Sequence, residues 1–254
     1  MELNYKVTGS GKPILILHGL FGSLDNWQSI AKRLSRHFSV YSIDLRNHGR
    51  SPHDDIMNYR VMVEDILDFM DDSKIHKASL IGHSMGGKVA MKLAADHPDR
   101  IDKLVIVDMA PVEYKAHHND VFNALRSVDL HNVMNRSDAE VVLQEHLNEE
   151  AVIQFLMKGL YRDADMNFAW RYNLEALYKN YDNLLAGIEV EIPYNRGVLF
   201  IKGEKSPYVG QKEEMKISKF FPSYEIEEIK GAGHWVHAES PDAFYAVLEA
   251  YLLN

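Results

Sequence analysis

The 254-residue chain contains no cysteine and no stretch of 18 or more apolar residues. The absence of cysteine fits a reducing compartment, although a secreted protein can also lack disulfides. The segment Met1–Lys6 has no charged-then-apolar leader and enters an alternating strand pattern instead. A membrane span is therefore not predicted. We expect a soluble, cytoplasmic protein.

Long runs of lysine and arginine are also absent. The chain has 28 basic against 37 acidic residues, which gives a formal net charge of −9. Neither nucleic acid nor an anionic membrane is therefore expected as the main partner. Hydrophobic residues make up 46% of the chain, so it can bury a substantial core as one domain with an insertion.

The segment Gly82-His83-Ser84-Met85-Gly86 has the pattern G-x-S-x-G, between a buried strand pattern and a helical pattern. A serine on so sharp a turn needs neighbours without side chains, because backbone segments pass close to it. The Ser84 hydroxyl would stand free above the sheet, with the Met85 N–H ready for developing negative charge. The same pattern arises by chance, and an ordinary turn serine is the alternative.

Two other glycine turns follow predicted strands. His18-Gly19 follows the strand at 13–17, so the Leu20 N–H is predicted to be a second oxyanion donor beside Met85. A plain glycine turn is the alternative there. His234 follows the strand at 224–229 on a glycine loop, and it can reach over the edge of the sheet where Ser84 lies. We therefore predict that His234 is the general base.

Other polar residues are predicted to have no chemical role. Asp44 and His48 lie in a polar loop at a strand end, which turn chemistry explains better than catalysis does. His237 is predicted to be structural. The adjacent His117 and His118 would face different ways on a helix, with no ligand cluster nearby. No metal or cofactor is predicted.

Short apolar strands alternate with amphipathic helices over residues 1–112 and 192–254. Strands separated by helices require parallel crossovers, so we predict an α/β core with a mostly parallel sheet of about seven or eight strands. Over 113–191 the alternation stops and helical signals follow one another, with a capping box at 137–140 and N-terminal signals at Asn148 and Asn173. We predict a helical cap over the sheet edge, inserted after the strand ending at Asp108. Most of its aromatic side chains should pack, and the rest should line an apolar substrate channel.

These motifs together resemble the α/β-hydrolase superfamily, and more narrowly the bacterial YbfF-type esterases. The resemblance covers nearly the whole chain and implies the α/β-hydrolase fold with a helical cap. It also implies Ser84 as nucleophile, His234 as base, and Leu20 and Met85 as oxyanion donors. The implied reaction is hydrolysis of carboxylic esters or thioesters of small or medium acyl groups, including acyl-coenzyme A esters. The motifs that carry the resemblance are 18–23, 44–49, 82–87, 108–112, 206–209 and 233–235.

One position departs from the superfamily pattern. The usual acid position, three residues past the glycine after the penultimate strand, is Ser206 here, and serine cannot be that acid. The candidates are Glu204 close by and Asp108, which closes the apolar strand 104–107. A carboxylate at the end of so apolar a strand is costly to bury unless it hydrogen-bonds to a partner such as His234. We therefore predict Asp108, and the resemblance points the same way.

The predicted function is ester or thioester hydrolysis through a Ser-His-Asp triad and an acyl-enzyme. The predicted partner is a small-molecule substrate of short to medium acyl chain, and the chain is expected to be a monomer. Dehalogenases and epoxide hydrolases of this fold use an aspartate nucleophile, so Ser84 argues against both. The alternatives are a receptor that binds a small ligand, or a cofactor-free perhydrolase or lyase with the same triad.

Overall fold

A computed structural model describes residues 1–254, which form nine strands and eleven α-helices. The strands are β1 (Tyr5–Thr8), β2 (Lys12–Leu17), β3 (Phe38–Ile43), β4 (Ala78–His83), β5 (Ile101–Val107), β6 (Leu160–Arg162), β7 (Phe168–Trp170), β8 (Val198–Gly203) and β9 (Tyr224–Ile229). The helices are α1 (Gln28–Leu34), α2 (Tyr59–Asp72), α3 (Met85–Asp96), α4 (Asn119–Ser127), α5 (Arg136–His146), α6 (Glu150–Met157), α7 (Leu174–Lys179), α8 (Tyr181–Leu185), α9 (Gln211–Phe220), α10 (Val236–Glu239) and α11 (Pro241–Leu253). None of these helices combines the length and the apolar character that crossing a bilayer requires.

The main sheet has seven strands in the spatial order β1-β3-β2-β4-β5-β8-β9. Only β1 is antiparallel to its neighbour, and the other pairs are parallel, as the alternation of strands and helices predicts. The register pairs Leu17 with Gly82 and His83 with Val107. The residues that follow β2, β4 and β5 therefore lie side by side at one edge of the sheet.

Helices cover both faces of this sheet, because successive residues of its buried strands point to opposite faces. Leu15 and Leu17 join the larger hydrophobic cluster with α2 and α3, whereas Ile14 and Ile16 join the smaller one with α1 and α11. The larger cluster continues into the 113–191 segment, for example through Leu156. This segment is therefore packed onto the same face of the sheet as α3, the helix that follows Ser84.

The segment 113–191 contains α4 to α8 and also a two-stranded hairpin, in which Leu160 pairs with Trp170. The insertion is mainly helical, as predicted, but the sequence analysis did not predict this hairpin. Each strand of the hairpin has three residues, too few to show a two-residue period against the helical pattern around it. The division into a core, 1–112 and 192–254, and a cap, 113–191, stays a prediction; "the cap" here means that segment.

Helix starts in the cap agree with the sequence in part. Asn173 accepts a hydrogen bond from the Ala176 N–H at 3.2 Å and begins α7 as predicted. The box predicted at 137–140 was placed two residues late, because Asn135 accepts from the Asp138 N–H at 3.2 Å and begins α5. Asparagine and serine are both good N-terminal caps, so the pattern alone does not choose between neighbouring polar residues.

Candidate active site

Ser84 lies on the turn between β4 and α3, with φ 52° and ψ −119°. This is a strained conformation for a residue with a side chain, of the kind found at functional turns. A Cβ on Gly82 would lie 2.3 Å from the Gly86 carbonyl oxygen, and a Cβ on Gly86 would lie 2.4 Å from the Leu17 carbonyl oxygen. Both glycines are therefore required by close backbone approach, as the G-x-S-x-G pattern predicts.

The loop after β2 passes directly beside this turn. A Cβ on Gly19 would lie 3.1 Å from the Ser84 Cβ, so the loop and the serine are in near contact. Met85 is the first residue of α3, where a backbone N–H has no partner within the helix. Leu20, Ser84 and Met85 line one small cavity together. The structure thus brings together the three residues predicted to form the nucleophile and oxyanion site.

His234 follows β9 and reaches back to the end of β5. Its Nδ1 lies 2.6 Å from Asp108 Oδ2, so the N–H donates to the carboxylate and Nε2 is the free nitrogen. Asp108 is fully buried, and its side chain also accepts from the Gly203 N–H at 3.1 Å and from the Ser206 hydroxyl. Glu204, the other candidate acid, is exposed and accepts from the Gly231 N–H at 2.8 Å. The carboxylate beside His234 is therefore that of Asp108.

Two aromatic rings pack against the His234 imidazole. The Tyr208 ring stacks on it at 4.1 Å between ring centres and 19° between planes. The His83 ring lies 4.7 Å away, and His83 Nε2–H donates to the His234 carbonyl oxygen at 2.9 Å. Burial lowers the pKa of His83 well below its usual value. His83 therefore stays neutral and adds no charge that would oppose protonation of His234.

A cavity of about 890 Å³, called here the wide cavity, opens onto the site. Ser84 and His234 both line it, together with cap residues such as Phe155 in α6 and Lys158 directly after it. The aromatic residues of the cap were expected in part to pack and in part to line a substrate channel. Phe155 lines the wide cavity, whereas Trp170 and Tyr172 are buried. Most cap aromatics therefore pack, and twelve of the 33 residues that line the wide cavity are hydrophobic.

The residues predicted to have no chemical role lie around the site. His237 is buried and stacks on Trp27 at 4.0 Å between ring centres. His117 Nε2 accepts from the Tyr208 hydroxyl at 2.5 Å, and His118 Nδ1 lies 2.8 Å from the Tyr181 hydroxyl. No group of three or more histidine, aspartate or glutamate side chains is arranged to hold a metal ion.

Sequence reasoning missed Ser206 and Tyr208 as neighbours of the site. Both lie in the loop after β8, and β8 pairs directly with β5, which precedes Asp108. The available signal was the serine at the position where the superfamily usually has its acid. A polar residue at that place is expected to lie beside His234 whether or not it is the acid.

Comparison with known proteins identifies the family to which the chain is similar. The model of a family described as the alpha/beta hydrolase fold matches residues 12–241. The chain is 42% identical to the esterase YbfF of Escherichia coli over 96% of this chain and 94% of that protein. It is 40% identical to an sn-1-specific diacylglycerol lipase of Xenopus laevis over 92% of this chain and 77% of that protein.

The solved structure of a marine microorganism esterase superposes with a TM-score of 0.95 at 41% identity, covering 98% of each chain. The predicted fold and the predicted likeness to YbfF-type esterases are confirmed by these matches. The predicted enzyme class, a carboxylesterase-type hydrolase, is confirmed at that level.

Proposed function

Because the chain belongs to the α/β-hydrolase fold family, we propose that it hydrolyses carboxylic esters or thioesters of short to medium acyl chains through Ser84, His234 and Asp108. One observation carries the proposal. The buried Asp108 carboxylate holds His234 Nδ1 at 2.6 Å, while Ser84, on its strained turn, lines the same cavity as His234. A serine, a histidine and a buried carboxylate in this order are the parts of an acyl-transfer site.

The reaction proceeds by acyl transfer to the serine and then to water. Ser84 Oγ attacks the carbonyl carbon as His234 Nε2 takes its proton, and Asp108 stabilises the imidazolium that forms. The carbonyl oxygen becomes an oxyanion bound by the N–H groups of Leu20 and Met85. His234 then protonates the departing alcohol or thiol. Water repeats the sequence on the acyl-enzyme, which releases the acid and restores Ser84.

The buried histidines around the site support this charge distribution. Burial lowers the pKa of His18 to about 4 and those of His118 and His237 to about 3. These rings are therefore neutral near pH 7. When His234 takes the proton from Ser84, its positive charge is the one that Asp108 faces.

The wide cavity and the relatives support a leaving group of some size. A volume of about 890 Å³ is within the range of sites that enclose drug-sized ligands. The related proteins are named for cleavage of esters, one of them for cleavage of diacylglycerol. A bulky alcohol or thiol, including the thiol of an acyl-coenzyme A, is therefore compatible with this side of Ser84.

Three variants test the proposed roles with p-nitrophenyl acetate as substrate. Ser84→Ala is expected to abolish turnover, and Asp108→Asn to lower kcat about ten-thousandfold because the base loses its orienting carboxylate. Glu204→Gln is the matched control and should retain activity, because Glu204 is exposed and bonded to Gly231.

If Glu204→Gln loses activity and Asp108→Asn does not, the acid of the triad is Glu204, after β8, and not Asp108. Near-normal turnover by Ser84→Ala would remove the nucleophile assignment. Tight binding with a single stoichiometric burst, in place of rapid multiple turnover, would indicate a ligand receptor.

A further inference from the structure

Two cavities of different character meet at Ser84. The wide cavity is lined by His234 as well as by Ser84. A second cavity of about 30 Å³, called here the narrow cavity, is lined by Ser84 but not by His234, and nine of its thirteen lining residues are hydrophobic. Leu20 and Met85 also line the narrow cavity. The nucleophile therefore lies between a large cavity, in which twelve of 33 lining residues are hydrophobic, and a small cavity that is more apolar.

The direction of proton transfer indicates which cavity receives the leaving group of an ester and which receives its acyl group. His234 must protonate the leaving group, so the leaving group lies on the His234 side of Ser84, in the wide cavity. The acyl group is bonded to the same carbonyl carbon and extends away from the leaving group. We infer that the narrow cavity is the acyl pocket, an assignment that rests on the proposed function.

The size of the narrow cavity limits the acyl group. A cavity needs roughly 10–15 Å³ of such space to hold one water molecule. A volume of about 30 Å³ therefore holds about two to three groups of that size beyond the carbonyl carbon. Acetyl to butyryl groups fit, whereas an octanoyl group requires the wall to move. The inference thus narrows the proposed substrates to esters and thioesters of short acyl groups.

One wall of the acyl pocket is formed by the chain that leaves the cap. Leu184 and Leu185, at the end of α8, both line it. Their carbonyl groups are held by Lys88, which lies one helical turn after Ser84 and is 1% exposed. Lys88 Nζ donates to the carbonyl oxygens of Ala186 at 2.6 Å, Leu185 at 3.0 Å and Leu184 at 3.5 Å.

When it is protonated, the Lys88 amino group has three N–H donors, enough for the three successive carbonyl groups. The same wall is joined to the rest of the fold by the Tyr59 hydroxyl, which donates to Leu184 O at 2.6 Å, and by the Tyr114 N–H, which donates to Leu185 O at 3.0 Å. Lys88 therefore ties the pocket wall to the helix that carries the nucleophile. It is a positioning residue whose loss should loosen the end of the acyl pocket.

The first test compares p-nitrophenyl acetate, butyrate, octanoate and palmitate at constant leaving group. The wild-type kcat/KM is expected to be highest for acetate or butyrate. Leu185→Ala should raise the octanoate-to-acetate ratio of kcat/KM at least tenfold, since a methylene in an apolar pocket changes discrimination by that order. Leu156→Ala is the matched control, because buried Leu156 lines the wide cavity and not the narrow one. Its ratio should stay within twofold of the wild type.

The second test removes the amino group that holds the wall. Lys88→Met should raise the same ratio about threefold or more and speed amide hydrogen exchange over residues 184–187, with exchange in β5 unchanged. Lys92→Met is its control, because Lys92 lies one turn further along α3 and bonds to Asp96 and to Glu189 O near the surface. Exchange is measured on the Ser84→Ala background as well, so this readout does not depend on activity.

A shifted ratio in Leu156→Ala with none in Leu185→Ala would place the acyl group in the wide cavity and overturn the inference. Wild-type exchange in Lys88→Met would remove its role in holding the wall. If Lys88→Met does not fold, Lys88→Gln is measured in the same way and Leu185→Ala still decides the pocket. Loss of the proposed function would appear differently, as persisting turnover in Ser84→Ala.

Discussion

Ser206 stands where the superfamily usually has its acid, and its hydroxyl donates to Asp108 Oδ2. We expect Ser206→Ala to weaken both the fold and the reaction, because Asp108 is fully buried and the hydroxyl is one of its three donors. A hydrogen bond to a charged group contributes about 1.5–3 kcal/mol to stability. The free energy of unfolding should fall by about that amount.

The effect on rate should be smaller than that of losing the carboxylate. If the whole contribution acted in the transition state, kcat would fall by about 10- to 150-fold, at about 1.4 kcal/mol for each tenfold change. The carboxylate itself remains, with His234 Nδ1 at 2.6 Å and the Gly203 N–H at 3.1 Å. We therefore expect kcat to fall about tenfold, against about ten-thousandfold for Asp108→Asn.

Urea unfolding and the turnover of p-nitrophenyl acetate measure the two effects. Ser218→Ala is the control, because the Ser218 hydroxyl lies at the surface and donates to the Met215 carbonyl oxygen. Wild-type stability and wild-type kcat in Ser206→Ala would refute this account of the Asp108 site. The double variant Ser206→Asp with Asp108→Asn moves the carboxylate to the neighbouring strand, and it should be at least tenfold faster than Asp108→Asn alone.

Two further predictions concern the stability of the fold. Gly86→Ala should lower the free energy of unfolding by about 3 kcal/mol, because its Cβ would lie 2.4 Å from the Leu17 carbonyl oxygen. Gly197→Ala is the control, because the nearest atom to its Cβ would be 3.6 Å away. Thermal denaturation should show a lower unfolding midpoint for Gly86→Ala and an unchanged one for Gly197→Ala. Burial lowers the pKa of His18 to about 4 and that of His48 to about 3, so below about pH 6.5 the unfolded chain binds more protons than the folded one. The free energy of unfolding should fall from pH 6.5 towards pH 4, by about 2 kcal/mol for each of these histidines at pH 5. Urea unfolding measures this loss, and His48→Asn should reduce it. Equal stability of the wild type at pH 7.5 and pH 5 would contradict the prediction.

The turn around Ser84 is predictable from sequence because its requirements are local. Gly82 and Gly86 each lie two residues from Ser84, and the backbone contacts that exclude a Cβ follow from the turn itself. The parallel sheet is predictable for a similar reason, since continuous apolar runs and intervening amphipathic helices are written in short windows. Asn173 is a local N-terminal signal of the same kind.

The contacts that complete the site are not local, and the sequence gives them incompletely. Asp108 and His234 are 126 positions apart, and their pairing was predictable only because a buried carboxylate needs a partner. Asp108 and Ser206 are 98 positions apart, and nothing near Ser206 in sequence indicates a bond to a carboxylate. Lys88 was missed because a lysine on a helix is usually solvated, and only the folded cap shows which carbonyl groups surround it.

The polar loop that follows β3 shows how residues without a chemical role still position the site. His48 Nδ1–H donates to the Arg46 carbonyl oxygen at 2.9 Å, which leaves Nε2 to accept the Phe21 N–H at 3.2 Å. Asp44 Oδ1 accepts the Leu24 N–H at 2.7 Å. These two bonds hold the loop that carries Leu20 from its far side, while Gly19 presses against Ser84 from the near side. The imidazole of His48 and the carboxylate of Asp44 therefore hold the backbone at Phe21 and Leu24, on the loop whose Leu20 N–H we propose as an oxyanion donor.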